Sequence, residues 1–400
     1  MKKFPFLLII VLLWSCSSFN EDLVLLDSQV PFSEIETNLP VINIVVDKSE
    51  FDEIINQVEE EIEIDGLFNL YRNHELLIED EAIELEIKGG YSTRYPLKTL
   101  GIKFEDKYDN RDRSLINPDR VLPHHNIDKI KAIRLRNSGS DFPNTMLKDL
   151  SVTQLAINAG LDLDLTYGEA ALVYINGNFY GLLNLRTEAN TNGMAGLYGV
   201  RKSEITLAKI TTHELIKKDG DFARIDAFVQ AINQKNIDHL KKEIDLNNFI
   251  DYMVFQSYIG NTDWPHNNAR FYAINEGKFR FVLFDLDKVA WLEMNKSPLK
   301  IIEDERVANV LTDLFFVLYK EETFKQAFWD RYNFLLQSGD ISIEKFKPIV
   351  EANTDKIKSE IQFQINKYNA PGSMTEWNIE LDKLTTLFEE RETVVKDLVE

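Results

Sequence analysis

The sequence has a single cysteine, Cys16, which excludes a disulfide framework and any cysteine-built zinc site. Its six histidines, among them the adjacent His124 and His125, show no HExxH or comparable metal-ligand spacing. Glycine and proline are scarce, 17 and 11 in 400 residues, and no single-residue tract occurs, so collagen-like and low-complexity classes are excluded. Positive charge is in deficit: 45 Lys and Arg against 66 Asp and Glu leave a net charge of −21 at pH 7. Without a concentrated basic stripe such a chain repels a phosphate backbone, so no nucleic-acid partner is expected. A polyanionic nucleotide stays admissible if divalent cations bridge it. Beyond the amino terminus no stretch reaches the roughly eighteen apolar residues that would cross a bilayer. What the chain does have is 44% hydrophobic and 11% aromatic residues, ample for a large core. Its length, about two to three times a typical domain, suits one large two-lobed fold or two intimate domains.

The amino terminus reads as an export signal. Lys2 and Lys3 precede an apolar run from Phe4 to Leu13, too short to span a membrane. Leu13-Trp14-Ser15-Cys16 resembles the lipobox of bacterial lipoproteins, in which the cysteine is lipidated and becomes the new terminus. The other reading is a plain secretory signal with an incidental cysteine. Residues 1–16 are thus expected to be a lipoprotein signal, with Cys16 lipidated, and residues 17–40 a tether and entry segment. Glu21-Asp22 in that tether resembles a surface-export signal. The expectation is an extracytoplasmic body held by acyl chains at a bacterial membrane, at the outer membrane or cell surface.

Along the chain, Val41–Val46 is a β-branched strand, and a helix is expected from Asp47 with Phe51, Ile54, Ile55, Val58 and Ile62 on its apolar face and Glu59, Glu60, Glu61 and Glu63 toward water. Two strands between Ala82 and Glu105 flank the turn-rich Gly89-Gly90-Tyr91-Ser92-Thr93-Arg94-Tyr95-Pro96. Lys129–Arg136 alternates as a strand, Thr145–Gly160 is an amphipathic helix, and Glu169–Tyr174 and Phe179–Leu185 form a hairpin through Asn176-Gly177. The second half reads as mainly helical, with helices over Phe222–Gln234, Ile237–Ile244 and Leu246–Gly260, strands over Ala269–Ile274 and Lys278–Phe284, and helices to the end. The fold class is therefore α+β, a mixed or antiparallel sheet lobe over about 41–188 and a helical lobe over about 189–400, with a cleft between them.

Chemistry is concentrated between Asn261 and Asp287. Asp263 and Asn268 lie five apart on a loop leaving a helix, and Asp285 and Asp287 follow a buried-strand run. Residues two apart in a strand face one side, so both carboxylates can address one cation, and hard oxygen donors suit Mg²⁺ or Ca²⁺. An Asp-x-x-x-x-Asn followed by a strand-end Asp is also the arrangement of protein-kinase active sites. The same residues equally suit turn caps with solvated carboxylates.

Five separated segments add a family pattern: Lys88-Gly89-Gly90-Tyr91-Ser92-Thr93-Arg94-Tyr95-Pro96-Leu97-Lys98; Arg134-Leu135-Arg136-Asn137 with Asp141 and Leu147-Lys148-Asp149; Tyr174–Leu183 with Glu188; Asn261-Thr262-Asp263-Trp264-Pro265 with Asn267-Asn268; and Phe284-Asp285-Leu286-Asp287. Phe388-Glu389-Glu390-Arg391 matches a closing Glu-x-Arg. In this order they resemble the CotH kinase family, related to atypical secretory kinases. The resemblance runs over about 41–400 and implies a two-lobed protein-kinase-like fold that uses ATP with Mg²⁺ or Mn²⁺, Ca²⁺ being possible, to phosphorylate Ser or Thr of an unidentified exported protein. It implies Asp263 as the catalytic Asp, Asn268 and Asp285 as metal ligands with Asp287 assisting, and Lys98, Arg94, Ser92 and Glu188 around the nucleotide. Lys98 is otherwise an exposed strand lysine, Arg94 a loop cap, and Glu188 a partner of Lys98 or of a structural ion pair. The alternative function is a non-catalytic, metal-binding, kinase-like surface lipoprotein.

Overall fold

Val41–Val46 (β1) runs in a β-branched stretch until Asp47, whose carboxylate accepts from the backbone N–H of Ser49 and Glu50 at 2.8 and 3.1 Å and so starts a helix, Lys48–Asn56 (α1). The structure, a computed structural model, describes residues 31–58, 62–104, 121, 122, 127, 129–212, 214–289, 295–303 and 309–399. Cys16, the signal segment, Glu59–Glu61, His124 and His125 lie outside the described residues. The helix expected to reach Ile62 is shorter, because Glu63 opens a strand, Glu63–Arg72 (β2), that pairs with Glu75–Lys88 (β3). Asn73 and His74 turn this hairpin in the left-handed region, at φ 51° and 67°.

Thr99–Lys103 (β4) and Ala132–Arg136 (β5) continue the sheet, Lys148–Asn158 (α2) follows, and Asp164–Leu165 (β6), Gly168–Ile175 (β7) and Asn178–Thr187 (β8) complete the first half. A closed barrel results in the order β1-β2-β3-β4-β5-β8-β7, all pairs antiparallel except β1 with β7. Asn176 and Gly177 turn the β7–β8 hairpin at φ 50° and 78°, the geometry that two-residue turns require. The Asn176 side chain accepts from Val46 N at 2.9 Å and donates to Val46 O at 3.0 Å, pinning the hairpin tip to the end of β1.

After Thr191–Leu197 (α3) comes a hairpin not expected from sequence, Ile205–Ile210 (β9) and Leu215–Asp219 (β10). Phe222–Asn233 (α4), Ile237–Glu243 (α5) and Leu246–Tyr258 (α6) follow, each begun by a side-chain cap: Asp221, Asn236 and Asp245. Ala269–Ile274 (β11) and Arg280–Leu283 (β12) join β9 and β10, and β6 adds parallel to β12, giving a second sheet ordered β10-β9-β11-β12-β6. The remaining helices are Pro298–Glu303 (α7), Val310–Leu318 (α8), Glu322–Ser338 (α9), Ile343–Ile357 (α10), Ile361–Tyr368 (α11) and Met374–Val399 (α12).

These last helices return to the barrel. Gln364 on α11 accepts from Leu182 N at 3.0 Å, and the Tyr368 hydroxyl donates to the Tyr180 carbonyl. One hydrophobic core accordingly runs from Ile42 and Leu135 in the barrel through Tyr252 to Phe328 and Trp377 in the helices. The fold is mixed α+β. No helix among the described residues is long and apolar enough to cross a membrane.

Candidate phosphate and metal cleft

The loop carrying Asp263 leaves α6, whose last carbonyls are capped by a cation from the far end of the chain. Arg391 on α12, fully buried, donates to Tyr258 O at 2.8 Å and Ser257 O at 2.7 Å. Beyond that cap, Asn261 donates to Gln256 Oε1 at 3.1 Å and buried Trp264 donates to the Tyr252 hydroxyl at 3.1 Å, which anchors the loop on the helix it left. Thr262 N and Oγ1 both donate to Lys288 O at 3.2 Å, joining this loop to the segment after β12. The two stretches marked in the sequence are thus hydrogen-bonded neighbours. Asn268 and Asp285 both sit in the left-handed region, at φ 51° and 60°, a conformation that Asn and Asp side chains tolerate and that recurs where geometry is functional.

Asp285 and Asp287 come together for a reason other than strand alternation. The strand ends at Leu283, and the positive φ of Asp285 breaks the extended path. What unites them is Arg136 on β5: its Nη2 donates to Asp285 Oδ1 and, at 2.9 Å, to Asp287 Oδ2. Asp287 Oδ2 also accepts from Ser140 N at 2.7 Å, and Asp149 on α2 accepts from Leu286 N at 3.2 Å while facing Arg136 Nε at 3.7 Å and Arg186 Nη1 at 3.4 Å. Burial works against the charge of Asp285 but is outweighed by Arg136, Arg134 and Arg270, which hold it below the usual carboxylate range. Asp287 goes the other way: burial, then the charge of Asp285, push it up to about 8.

These groups line a cleft of about 530 Å³ between barrel and second sheet. The Gly89–Ser92 loop with Lys88 lines it together with Asp263, Asn268, Asp285, Asp287 and Lys288. Arg134, Arg136, Lys209, Lys218 and Arg270 complete the charged lining, so seven cations face four carboxylates, the fourth being Asp219. That local excess of three positive charges stands in a chain of net charge −21.

Asp263, Asn268, Asp285, Asp287 and Ser92 are therefore brought together. Asp263 is tied to Lys288, Nζ to Oδ1, at 2.9 Å. Lys98, Arg94 and Glu188 are not among the residues lining this cleft. Lys98 Nζ donates to the carbonyls of Thr93 and Tyr95 at 2.5 and 2.7 Å, closing the loop on itself. Arg94 lies over the Tyr91 ring, 4.8 Å from its centroid. Glu188 takes two hydrogen bonds from Arg134, at 3.0 and 2.8 Å, the structural ion pair rather than a partner for Lys98. The site residues that sequence reasoning passed over are Arg136, Lys209, Arg270 and Lys288. The quoted Arg-Leu-Arg-Asn segment held a signal for the first, since Arg134 and Arg136 alternate on one strand face.

Among the described residues no three His, Cys, Asp or Glu side chains are grouped to hold a metal ion. With Asp263 tied to Lys288 and Asp219 to the Thr191 hydroxyl, the donors left on the cleft are the carboxylates Asp285 and Asp287 and the Asn268 amide, all hard oxygen ligands. That set fits Mg²⁺ or Mn²⁺ arriving with a phosphate, an ion ordinarily bound by one or two carboxylates plus substrate oxygens and water. A closed all-protein cage for Ca²⁺ would need more oxygens than these three side chains supply.

A mixed α+β protein with a cationic, carboxylate-bearing cleft is the class that fold and site define. The family described as CotH kinase protein matches residues 85–395, most of the chain, and the chain belongs to that family. No curated protein matches it. Among solved structures, a chain of the Shewanella oneidensis MR-1 toxin–antitoxin complex of HipA, HipB and operator DNA is similar at 13% identity, covering 89% of this chain and 72% of that one with a TM-score of 0.27.

Proposed function

We propose that this protein transfers a phosphoryl group from ATP to a Ser or Thr hydroxyl of an exported protein, as a two-lobed kinase-like enzyme anchored through Cys16 outside the cytoplasm. The observation that carries the reading is the concentration of positive charge around the carboxylates of one cleft in an otherwise strongly acidic chain. Lys88, Arg134, Arg136 and Lys288 have carboxylate partners, whereas Lys209, Lys218 and Arg270 have none among the described residues; such cations are costly unless an anion completes them, and a phosphate chain is the anion that also calls for a divalent ion. Asp263 would orient the acceptor hydroxyl and take its proton as the oxygen bonds to phosphorus and the bond to ADP breaks; Lys288 holds the Asp263 carboxylate in place beforehand. Asn268, Asp285 and Asp287 would hold Mg²⁺ or Mn²⁺, which when bound neutralises charge on the transferring phosphates. The backbone of Gly89 and Gly90 would let the phosphates approach closely, since neither carries a Cβ.

The test is phosphate incorporation from labelled ATP into Ser/Thr-containing protein substrates and into the chain itself. Transfer should need Mg²⁺ or Mn²⁺ and fall at least about 100-fold in Asp263→Asn and in Asp285→Asn, with melting unchanged for the former. Arg136 already engages both carboxylates placed to hold a metal, and this favours a second reading, a kinase-like surface lipoprotein that binds without catalysing. Nucleotide binding without transfer to any hydroxyl would select that reading.

A further inference from the structure

A kinase-like site needs a lysine against the phosphate chain, and the lysine at the expected place, which lies just before β4 and not in it, is already engaged. Lys98 Nζ spends two hydrogen bonds on the Thr93 and Tyr95 carbonyls, and the residue does not line the cleft. Lys209, near the end of β9, is its converse. It lines the cleft, is more than half buried, and has no hydrogen-bond or ion-pair partner among the described residues. Its nearest charges are mostly of its own sign: Arg270, Lys218 and Arg134, with Asp285 as the compensating carboxylate. Arg270 shares the predicament, donating to the Ala189 carbonyl and lying 4.5 Å over the Phe284 ring with no carboxylate of its own. Burial, then Arg270 and Lys218, pull Lys209 below the ordinary lysine range. Lys209, Arg270 and Lys218, none with a carboxylate partner among the described residues, form a site that an anion completes.

We infer that the donor's phosphate chain is held from the second sheet, with Lys209 pairing with it beside Asp285 and Arg270 supporting it, while Lys98 only braces the glycine loop. The inference rests on reading the cleft as a phosphate site. It moves the phosphate-binding cation from the barrel to the β9–β10 hairpin.

The experiment measures binding of Mg²⁺-ATP and of inorganic tripolyphosphate, by calorimetry and thermal shift, to wild type, Lys209→Gln, Lys209→Arg and Lys98→Met. Lys209→Gln is expected to weaken both probes about 30-fold, the worth of a charge-assisted pair, while melting no lower than wild type because a desolvated like-charged group has gone. Lys209→Arg should bind within about threefold of wild type. Lys98→Met should bind both probes as wild type does and melt lower. Should Lys209→Gln bind both probes as wild type does, or Lys98→Met lose them, the assignment of Lys209 is wrong although the cleft still binds phosphate. Should wild type bind neither probe, the assignment falls together with the reading it rests on.

Discussion

Replacing Gly139 by alanine should break the carboxylate cluster from beneath. Gly139 sits at φ 59°, and a Cβ there would lie 1.8 Å from Asp287 Oδ2 and 2.7 Å from Arg136 Nη2. Neither atom is the free end of a solvent-exposed chain; Asp287 Oδ2 is held by Arg136 and by Ser140 N. The methyl group therefore displaces Asp287 and leaves Arg136 with one buried partner fewer. An L-residue in the left-handed region costs about 1–2 kcal/mol, and disrupting a buried ion pair costs about 3–5 kcal/mol. The sum is roughly 4–7 kcal/mol. Gly160 is the control: its φ is 61°, yet nothing lies within 4 Å of its would-be Cβ, so Gly160→Ala should lose only the backbone part. Denaturant unfolding of both variants measures the difference, and Mn²⁺ affinity measured alongside should fall only in Gly139→Ala. Equal losses in the two variants would refute the claim that Asp287 is pinned against that loop.

Arg391→Met removes the buried guanidinium that caps α6, so it should cost about 3 kcal/mol and raise amide exchange across 261–268; unchanged exchange there would separate the two elements. Because burial and the charge of Asp285 raise Asp287 above the ordinary carboxylate range, a cation that needs its carboxylate competes with a proton as the pH falls. Divalent affinity should therefore climb by up to about tenfold per unit from pH 6 to 8 and level off above, so a flat Mn²⁺ titration over that range contradicts it. Lys288→Met removes a half-exposed pair and should change stability by no more than about 0.5 kcal/mol while lowering phosphate transfer, a split that parallel melting and kinetic measurements would show.

How far the sequence could be read depended on how local each signal was. Asn176-Gly177 announces its turn because both residues need positive φ, and Asp221, Asn236 and Asp245 start their helices by side-chain bonds within three residues. β2 and the first half of β3 escaped, although a strand from Ala82 was expected, because Glu75, Glu79 and Glu81 break the apolar alternation on the exposed part of the hairpin, and β9–β10 escaped because its second strand carries Lys217, Lys218 and Asp219 with no turn glycine between. The site divides the same way. Asp263, Asn268, Asp285 and Asp287 stand in two short segments and were legible as a set. Arg136, Lys209 and Arg270 come from β5, β9 and β11, strands of two different sheets, and only tertiary packing carries them to one cleft. Lys98 was legible by position in a motif, yet its partners are carbonyls of its own loop, which no spacing reveals.

The most direct test of the central claim is a calorimetric titration of ATP into the wild-type chain with Mg²⁺ and with EDTA, repeated on Asp285→Asn. Binding should saturate, require Mg²⁺ and drop at least about tenfold in the variant, with a thermal shift of matching sign. Binding of equal strength in EDTA, or none in Mg²⁺, would contradict it.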